Sequence, residues 1–255
     1  MSMGNDQPTA GAQTVTAALD LLQIVALNPH SSLSELARLA GNSLNRTFRL
    51  LVALEAAGFV QRDRHKTYRL GSQLSWLGRR AGFQDPLLQV AEPLMVELAQ
   101  ITGQTVSVAV RIGLERILIS QQGPPARPDY DPTFHDRLPL YWGALGCCLL
   151  AFAPDEIQLQ ILQQPLQAFS EQTITDPNRL AMHLQQVRQQ RYDLALEPQL
   201  EVFSVAAPVL DHRMQAVAAI GLGGCLERLD AAAQQRYPAM VRSLADQIAL
   251  RLAGR

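Results

Sequence analysis

Between residues 31 and 60, apolar positions recur every three or four residues in two short runs separated by a small polar break. Leu33, Leu36, Ala37 and Ala40 form one stripe, and Leu44, Thr47, Leu51 and Leu54, with Leu50 beside them, form the other. The pattern predicts two short amphipathic helices joined by a tight turn. Ser32 and Glu35 stand in the S-x-x-E spacing in which each side chain satisfies the other's backbone N–H at a helix start. Gly41 sits where a positive φ ends a helix, and Asn42-Ser43 offers the cap for the next one. Upstream, residues 14–27 carry Val15, Leu19, Leu22, Ile24, Val25 and Leu27 ahead of Asn28-Pro29, predicting a third helix packed under the pair. Residues 1–13 are small and polar and are expected to be a disordered tail.

Residues 59–70 have apolar ends around a charged tip, as in a β-hairpin wing. Residues 72–83 read as a linker helix with Leu74, Trp76 and Leu77 exposed or half-buried. That is a seam for a second copy, or a face packed on its own wing. Asp85-Pro86 then opens a second region. There the pattern predicts a helix over 87–101, with Leu88, Val90, Ala91, Leu94, Met95, Leu98 and Ile101 inward. An antiparallel hairpin over 105–111 and 116–120 turns at Gly113. A Pro/Asp-rich loop over 124–136, helices near 143–152, 154–163 and 176–191, a second hairpin over 202–210 and 215–223, and a closing helix over 231–252 follow. The sum is an α+β chain: a winged helix-turn-helix at 14–71, a linker helix at 72–85, and an antiparallel-sheet domain at 86–255 with its helices gathered beside the sheet.

Charge separates these regions by task. Residues 38–80 hold nine basic side chains against two carboxylates, a local +7 in a chain of net charge −1. Residues 86–255 hold thirteen arginines against seventeen carboxylates. One module therefore faces nucleic acid and the other has a different job. On the second short helix Asn45, Arg46 and Arg49 lie opposite the apolar stripe, and their donors match adenine and guanine edges in a major groove. With Ser43 at the helix start and Arg62, Arg64, Lys66 and Arg69 on the wing, they form the candidate surface for double-stranded DNA. A solvated polar face on an ordinary bundle helix has the same composition, and basic wings also occur on protein-binding winged helices.

Catalytic and metal-binding patterns find little support. The five histidines (His30, His65, His135, His183 and His212) are scattered, with no H-x-x-x-H or H-E-x-x-H spacing. Three cysteines, Cys147 and Cys148 adjacent, make neither a disulfide framework nor a metal motif. All three are expected to be buried small hydrophobes in a reducing cytoplasm. A Cys147–His135–Asp136 nucleophilic site can be drawn, yet Cys147 lies in an apolar helix with no cation beside it. Gly221-Leu222-Gly223-Gly224 reads as a strand end and not as a phosphate loop. The longest apolar run, 143–153, is too short to span a bilayer, and the N-terminus has no signal-peptide pattern. No cofactor, metal ion or membrane partner is expected.

With these pieces in order, the chain resembles the IclR family of bacterial transcriptional regulators over residues 14–252. The segments that carry the resemblance are LSELARLAG (33–41), RLLVALEAAGFV (49–60), YRLG (68–71), RLPLYWGALGCCLLAF (137–152), VAAPVLD (205–211) and AVAAIGLGG (216–224). The resemblance implies a winged helix, a GAF-like effector domain, and a homodimer or tetramer on operator DNA. It also implies an effector pocket with Trp142, Gly143, Ala144 and Leu145 on one side. Ala206, Pro208, Gly221 and Gly223 belong to its strands, and Glu197 to the acidic stretch before them. Tyr141-Trp142-Gly143 replaces the common His-Ala-Thr, and Cys147 replaces a common basic residue. Arg191 and Glu201 stand where glycines are usual. With Gly221 and Gly223 in place of serines and Trp142 added, the pocket is expected to take a flat, apolar ligand or none. Two alternatives stay open: a regulator without any ligand, and a metabolic enzyme carrying an accessory winged helix.

Overall fold

In the computed structural model, residues 10–124 and 137–254 are described. They fall into two compact units, one ending at Gln84 and the other beginning at Asp85. In the first, α1 (Ala10–Leu27), α2 (Leu33–Leu39) and α3 (Leu44–Ala56) accompany a small antiparallel sheet whose first strand lies between α1 and α2. Its strands β1 (Ser31–Ser32), β2 (Val60–Arg62) and β3 (Thr67–Leu70) lie in the order β1-β3-β2, and α4 (Ser72–Gln84) follows. Leu21, Val25, Leu36, Leu50, Leu51, Val60 and Tyr68 make the core. Helix α1 starts at Ala10, so residues 10–13 are helical and not part of a tail. Its buried stripe is Leu21 and Val25, while Val15, Leu19 and Leu27 are exposed, because α1 is apolar on several sides and only one meets α2 and α3.

Local signals set the helix ends. Both halves of the Ser32–Glu35 capping box are present, and Ser43 Oγ accepts from the Arg46 amide. Thr47 is fully buried with its hydroxyl donating to the Ser43 carbonyl, so the small polar residue in the stripe is satisfied. Leu44 is 52% exposed. As the first residue of α3 it projects past the end of the packed core, so it leaves the predicted stripe.

The second unit is a six-stranded, fully antiparallel sheet in the order β6-β5-β4-β9-β8-β7. The strands are β4 (Thr105–Ile112), β5 (Glu115–Gln122), β6 (Arg137–Pro139), β7 (Asp193–Glu197), β8 (Val202–Leu210) and β9 (Ala216–Cys225). Edge strands β6 and β7, of three and five residues, are too short to show in the periodicity. On one face, α5 (Pro86–Thr102) and α9 (Ala231–Ala253) pack through Met95, Val106, Val205, Ile220, Val241 and Ile248. On the other lie α6 (Gly143–Ala151), α7 (Asp155–Leu162) and α8 (Pro177–Gln190), packed through Leu149, Leu150, Ala206, Ala219 and Leu180. The helices thus sandwich the sheet instead of gathering beside it, because β8 and β9 are apolar on both faces and both need cover. In α5, Ile101 is 65% exposed and Ala99 takes the inner position near the helix end.

Arg191 and Glu201, which stand in for glycines, have φ of 58° and 52°. The left-handed turns are retained without glycine, at roughly 1 kcal/mol each for the Cβ. The Arg191 guanidinium donates to Asp246 of α9 at 2.6 Å, which offsets part of that.

Gly71 ends the wing against the turn after α3. A Cβ there would strike the Gly58 carbonyl oxygen, while the Gly71 amide donates to the Phe59 carbonyl at 2.7 Å. Gly78, in the middle of α4, has open space around it. Gly71→Ala is expected to cost about 2–3 kcal/mol in the winged unit, and Gly78→Ala to stabilise α4 by about 0.5–1 kcal/mol. Denaturant unfolding of the two variants checks the contrast.

Candidate functional site

Asn45, Arg46 and Arg49 emerge together on the solvent face of α3, and Arg62, Arg64, Lys66 and Arg69 are all exposed on or beside the wing. The helix also presents Phe48 and Val52, 46% and 47% exposed, next to that polar face. Apolar side chains in such a place suit thymine methyl groups. The periodicity alone did not mark them, since apolar residues are assigned to the core by default. Ser43 is at the helix start with its side chain engaged in capping and its surface exposed.

Asp63, counted above only as a negative charge, builds the wing tip. Its carboxylate accepts from the Thr67 hydroxyl at 2.7 Å, the His65 amide at 2.9 Å and the Thr67 amide at 3.0 Å. Lys66 adopts φ 62° within this turn and donates its amide to the Asp63 carbonyl. The Thr67 hydroxyl and amide, then the His65 amide, hold the Asp63 carboxyl down to a pKa of about 2. The acid in the basic wing therefore fixes the loop that carries Arg64, His65 and Lys66.

In the second unit, a cavity of about 320 Å³ opens between the α6 start and the sheet. Trp142, Gly143, Ala144 and Leu145 line one side, and Gly221, Gly223 and Glu197 line the strand side. Gly143 has φ 73°, and from there α6 runs inward, buried at every residue from Ala144 to Ala151. A Cβ on Gly221 would lie 2.8 Å from the Val205 carbonyl oxygen and 3.1 Å from Leu145 Cδ2, so the glycine keeps this end of the sheet open. Ala206 and Pro208 do not line the cavity. Ala206, paired with Gly221, is buried in the cluster that α6 joins, and Pro208, paired with Ala219, is buried one step further from the cavity.

The cavity also holds residues that the periodicity did not nominate. Thr105 and Ser107 of β4, Ser204 of β8 and Gln121 of β5 supply polar groups, so the hydroxyls missing from β9 are present on its neighbours. Gln121 Nε2 donates to Ser107 Oγ at 3.1 Å. Arg116 of β5 is 6% exposed and lines the cavity, and Glu197 of β7 is 8% exposed with Oε2 lacking a donor among the described residues. The one available signal was an arginine sharing the inner register of β5 with Leu118. Trp142 is held in place by Phe169, ring centroids 5.6 Å apart, which in turn packs on Tyr141.

Behind this wall, Cys147 of α6, His183 of α8 and Asp193 of β7 come together, with one potential ligand atom from each within 4.8 Å of the others. His183 Nε2 lies 3.2 Å from Asp193 Oδ2. Burial first, then the Asp193 charge, push the Cys147 thiol well above its ordinary pKa. His135 and Asp136, the other members of the nucleophilic site drawn from sequence, lie outside the described residues. Cys225 is half-buried, unlike Cys147 and Cys148, because it ends β9 near the surface.

Residues 84–250 match the family model described as bacterial transcriptional regulator IclR C-terminal, and residues 14–64 match the IclR helix-turn-helix domain. The HTH-type transcriptional regulator KipR of Bacillus subtilis (strain 168) is 29% identical, with 92% of this chain and 93% of that protein covered. The HTH-type transcriptional repressor AllR of Escherichia coli (strain K12) is 32% identical, with 89% and 86% covered. Among solved structures, a transcriptional regulator from Alicyclobacillus acidocaldarius superposes with a TM-score of 0.84 at 23% identity, over 94% of this chain and 98% of that one. An IclR homolog from Microbacterium hydrocarbonoxydans, crystallised with 4-hydroxybenzoate, superposes with a TM-score of 0.79 at 21% identity, over 95% and 100%. Among the described residues no helix is long and apolar enough to cross a membrane.

The wing tip gives a test of its construction. Because the folded-state pKa of Asp63 lies below its unfolded value, its contribution is present at neutral pH. That contribution disappears as pH falls from about 4 through about 2. Hydrogen-exchange protection of the His65 and Thr67 amides is expected to fall across that window. In Asp63→Ala it should be low at every pH, with the protection of α2 and α3 unchanged.

Proposed function

The chain belongs to the IclR family of bacterial transcriptional regulators: it is a DNA-binding regulator with a C-terminal effector-binding domain. On that premise we propose which residues do each part. Asn45, Arg46 and Arg49 read base edges from α3, with the exposed start of the helix at Ser43 set against a phosphate. Arg62, Arg64, Lys66 and Arg69 hold phosphates or the minor groove beside it. Helix α4 has no buried residue and exposes Trp76, Leu77 and Phe83, which favours a second copy as the cover for that face and hence a dimer on a two-part operator. Catalysis is no part of this reading: the relatives are named as regulators, and burial raises the Cys147 pKa, which disfavours that thiol as a free nucleophile. A protein that grips chromosomal DNA works in the cytoplasm.

For the effector, the observation that carries the reading is a buried cation and a buried carboxylate on strands separated by β4, β9 and β8. Arg116 lies on one side, Ser204 and Glu197 lie on the other, and apolar surface from Leu118, Leu145 and Trp142 runs between them. A flat acid with a hydroxyl at its far end suits that arrangement. Its carboxylate meets Arg116, its ring meets the apolar wall, and its hydroxyl faces Ser204 and Glu197. The 4-hydroxybenzoate complexed with the Microbacterium homolog is a ligand of this class.

Two measurements test these assignments. In fluorescence-anisotropy titrations on promoter fragments, Arg49→Ala is expected to weaken specific binding by roughly 5–150-fold, equivalent to about 1–3 kcal/mol for a base contact. Lys66→Ala should lower the slope of log K against log salt by about 0.9 at all sequences. Undiminished binding by Arg49→Ala would remove it from the readers. In calorimetric titrations, 4-hydroxybenzoate should bind more tightly than benzoate or pyruvate, and Arg116→Gln should weaken it by roughly 10–100-fold. Equal affinities for all three acids would overturn the proposed ligand class.

A further inference from the structure

Cys147, His183 and Asp193 come from three elements that are distant in sequence, and the fold holds each one firmly. Helix α6 is buried on all sides. Helix α8 is anchored by Leu180, Leu184 and Val187, which flank His183 on its inner face. Strand β7 is paired along its length with β8, from Asp193 opposite Ala206 to Glu197 opposite Val202. The trio lines a second cavity of about 290 Å³, and this cavity shares Trp142, Gly143, Ala195 and Glu197 with the first.

From this geometry we propose that the chain holds a divalent transition-metal ion of the zinc class. The ligands are Cys147 Sγ, a ring nitrogen of His183 and the Asp193 carboxylate, with a fourth position turned to the second cavity. A thiolate, an imidazole and a carboxylate are the donor set of zinc sites that keep one position open for water. The spacing agrees. Donors about 2.0–2.3 Å from a tetrahedral ion lie roughly 3.3–3.8 Å from one another. His183 and Asp193 are already at 3.2 Å, and no pair in the trio exceeds 4.8 Å. The 4.8 Å bound exceeds the tetrahedral spacing by about 1 Å.

Charge favours the same occupant. A dication bound to one thiolate and one carboxylate is neutral as a unit, which suits a site where Cys147 is 4% and Asp193 3% exposed. The thiol proton leaves for the buffer as the sulfur binds the ion, so nothing is oxidised or reduced. Asp193 keeps a second anchor, since its Oδ1 accepts from the Leu194 amide at 2.9 Å. Such a bond to a ligating carboxylate fixes its orientation toward a metal. Cys148, the neighbouring thiol, points elsewhere, toward the Ala206 carbonyl at 3.3 Å, and is not part of the set.

The probe is cobalt(II), added to chelator-stripped, full-length protein. One equivalent per chain is expected to give a thiolate-to-cobalt charge-transfer band with strong tetrahedral d–d absorption, both displaced by zinc(II). Cys147→Ala should abolish the charge-transfer band. His183→Ala should weaken cobalt binding at least tenfold, while Cys225→Ser should leave spectrum and affinity unchanged. A wild-type protein that folds yet shows no charge-transfer band overturns the proposal, as does a Cys147→Ala variant with an unaltered spectrum. The wild-type spectrum decides the matter even if a variant fails to fold.

Discussion

The placement of α6 on small residues of the sheet is the constraint from which the rest of the second unit follows. The helix GALGCCLLA is buried at every residue but its first and has no amphipathic side. It can lie close only because β8 and β9 offer Ala206 and Ala219 beneath it. At its start the Gly146 Cα sits against Leu140, and at its end the Arg188 side chain donates to the Ala151 carbonyl. The helix covers the sheet at Ala219 and Ala206, and the cavity begins at Gly221, the partner of Ala206, and runs on to Gly223 opposite Ser204. The same placement carries Trp142 to the cavity wall and Cys147 to His183 and Asp193.

A cavity left this way is mostly apolar, so its polar groups decide what enters. Arg116 and Glu197 are removed from water, and Glu197 Oε2 has no donor among the described residues, which is costly to leave unmet. A ligand that offers that oxygen a donor is favoured over one that only fits the apolar wall. The hydroxyls of Thr105, Ser107 and Ser204 act in the same direction. Glycines at 221 and 223 therefore did not make the site featureless; they moved its polar groups to neighbouring strands.

The winged unit follows a different logic, because most of its determinants are local. The Ser32–Glu35 box, the positive φ of Gly41 and the Ser43 cap each act within a few residues and fix where helices begin and end. The wing shows the same economy, with one carboxylate at position 63 organising five residues of a strongly basic loop. Solvent exposure of Asn45, Arg46 and Arg49 then follows from helical geometry alone, since the opposite side of α3 is held in the core by Thr47, Leu50 and Leu51.

Sequence alone determined whatever depends on neighbours in the chain. The two helices and their caps, the basic wing, the hairpins β4–β5 and β8–β9 and the division of charge between the units all read directly from period and composition. Resemblance nominated Trp142 through Leu145, which line the cavity, and Ala206 and Pro208, which do not; periodicity misplaced Leu44 and Ile101, whose exposure depends on where a packed neighbour ends. Only the tertiary structure brought in β6 and β7, short strands that exist because a partner strand pairs with them. It alone turned Arg116 into a cavity residue and set His183 beside Cys147 across 36 positions of sequence. Side-chain periodicity reports which face of an element is covered, whereas a site is made where covers from different elements stop, and that depends on distances no local pattern encodes.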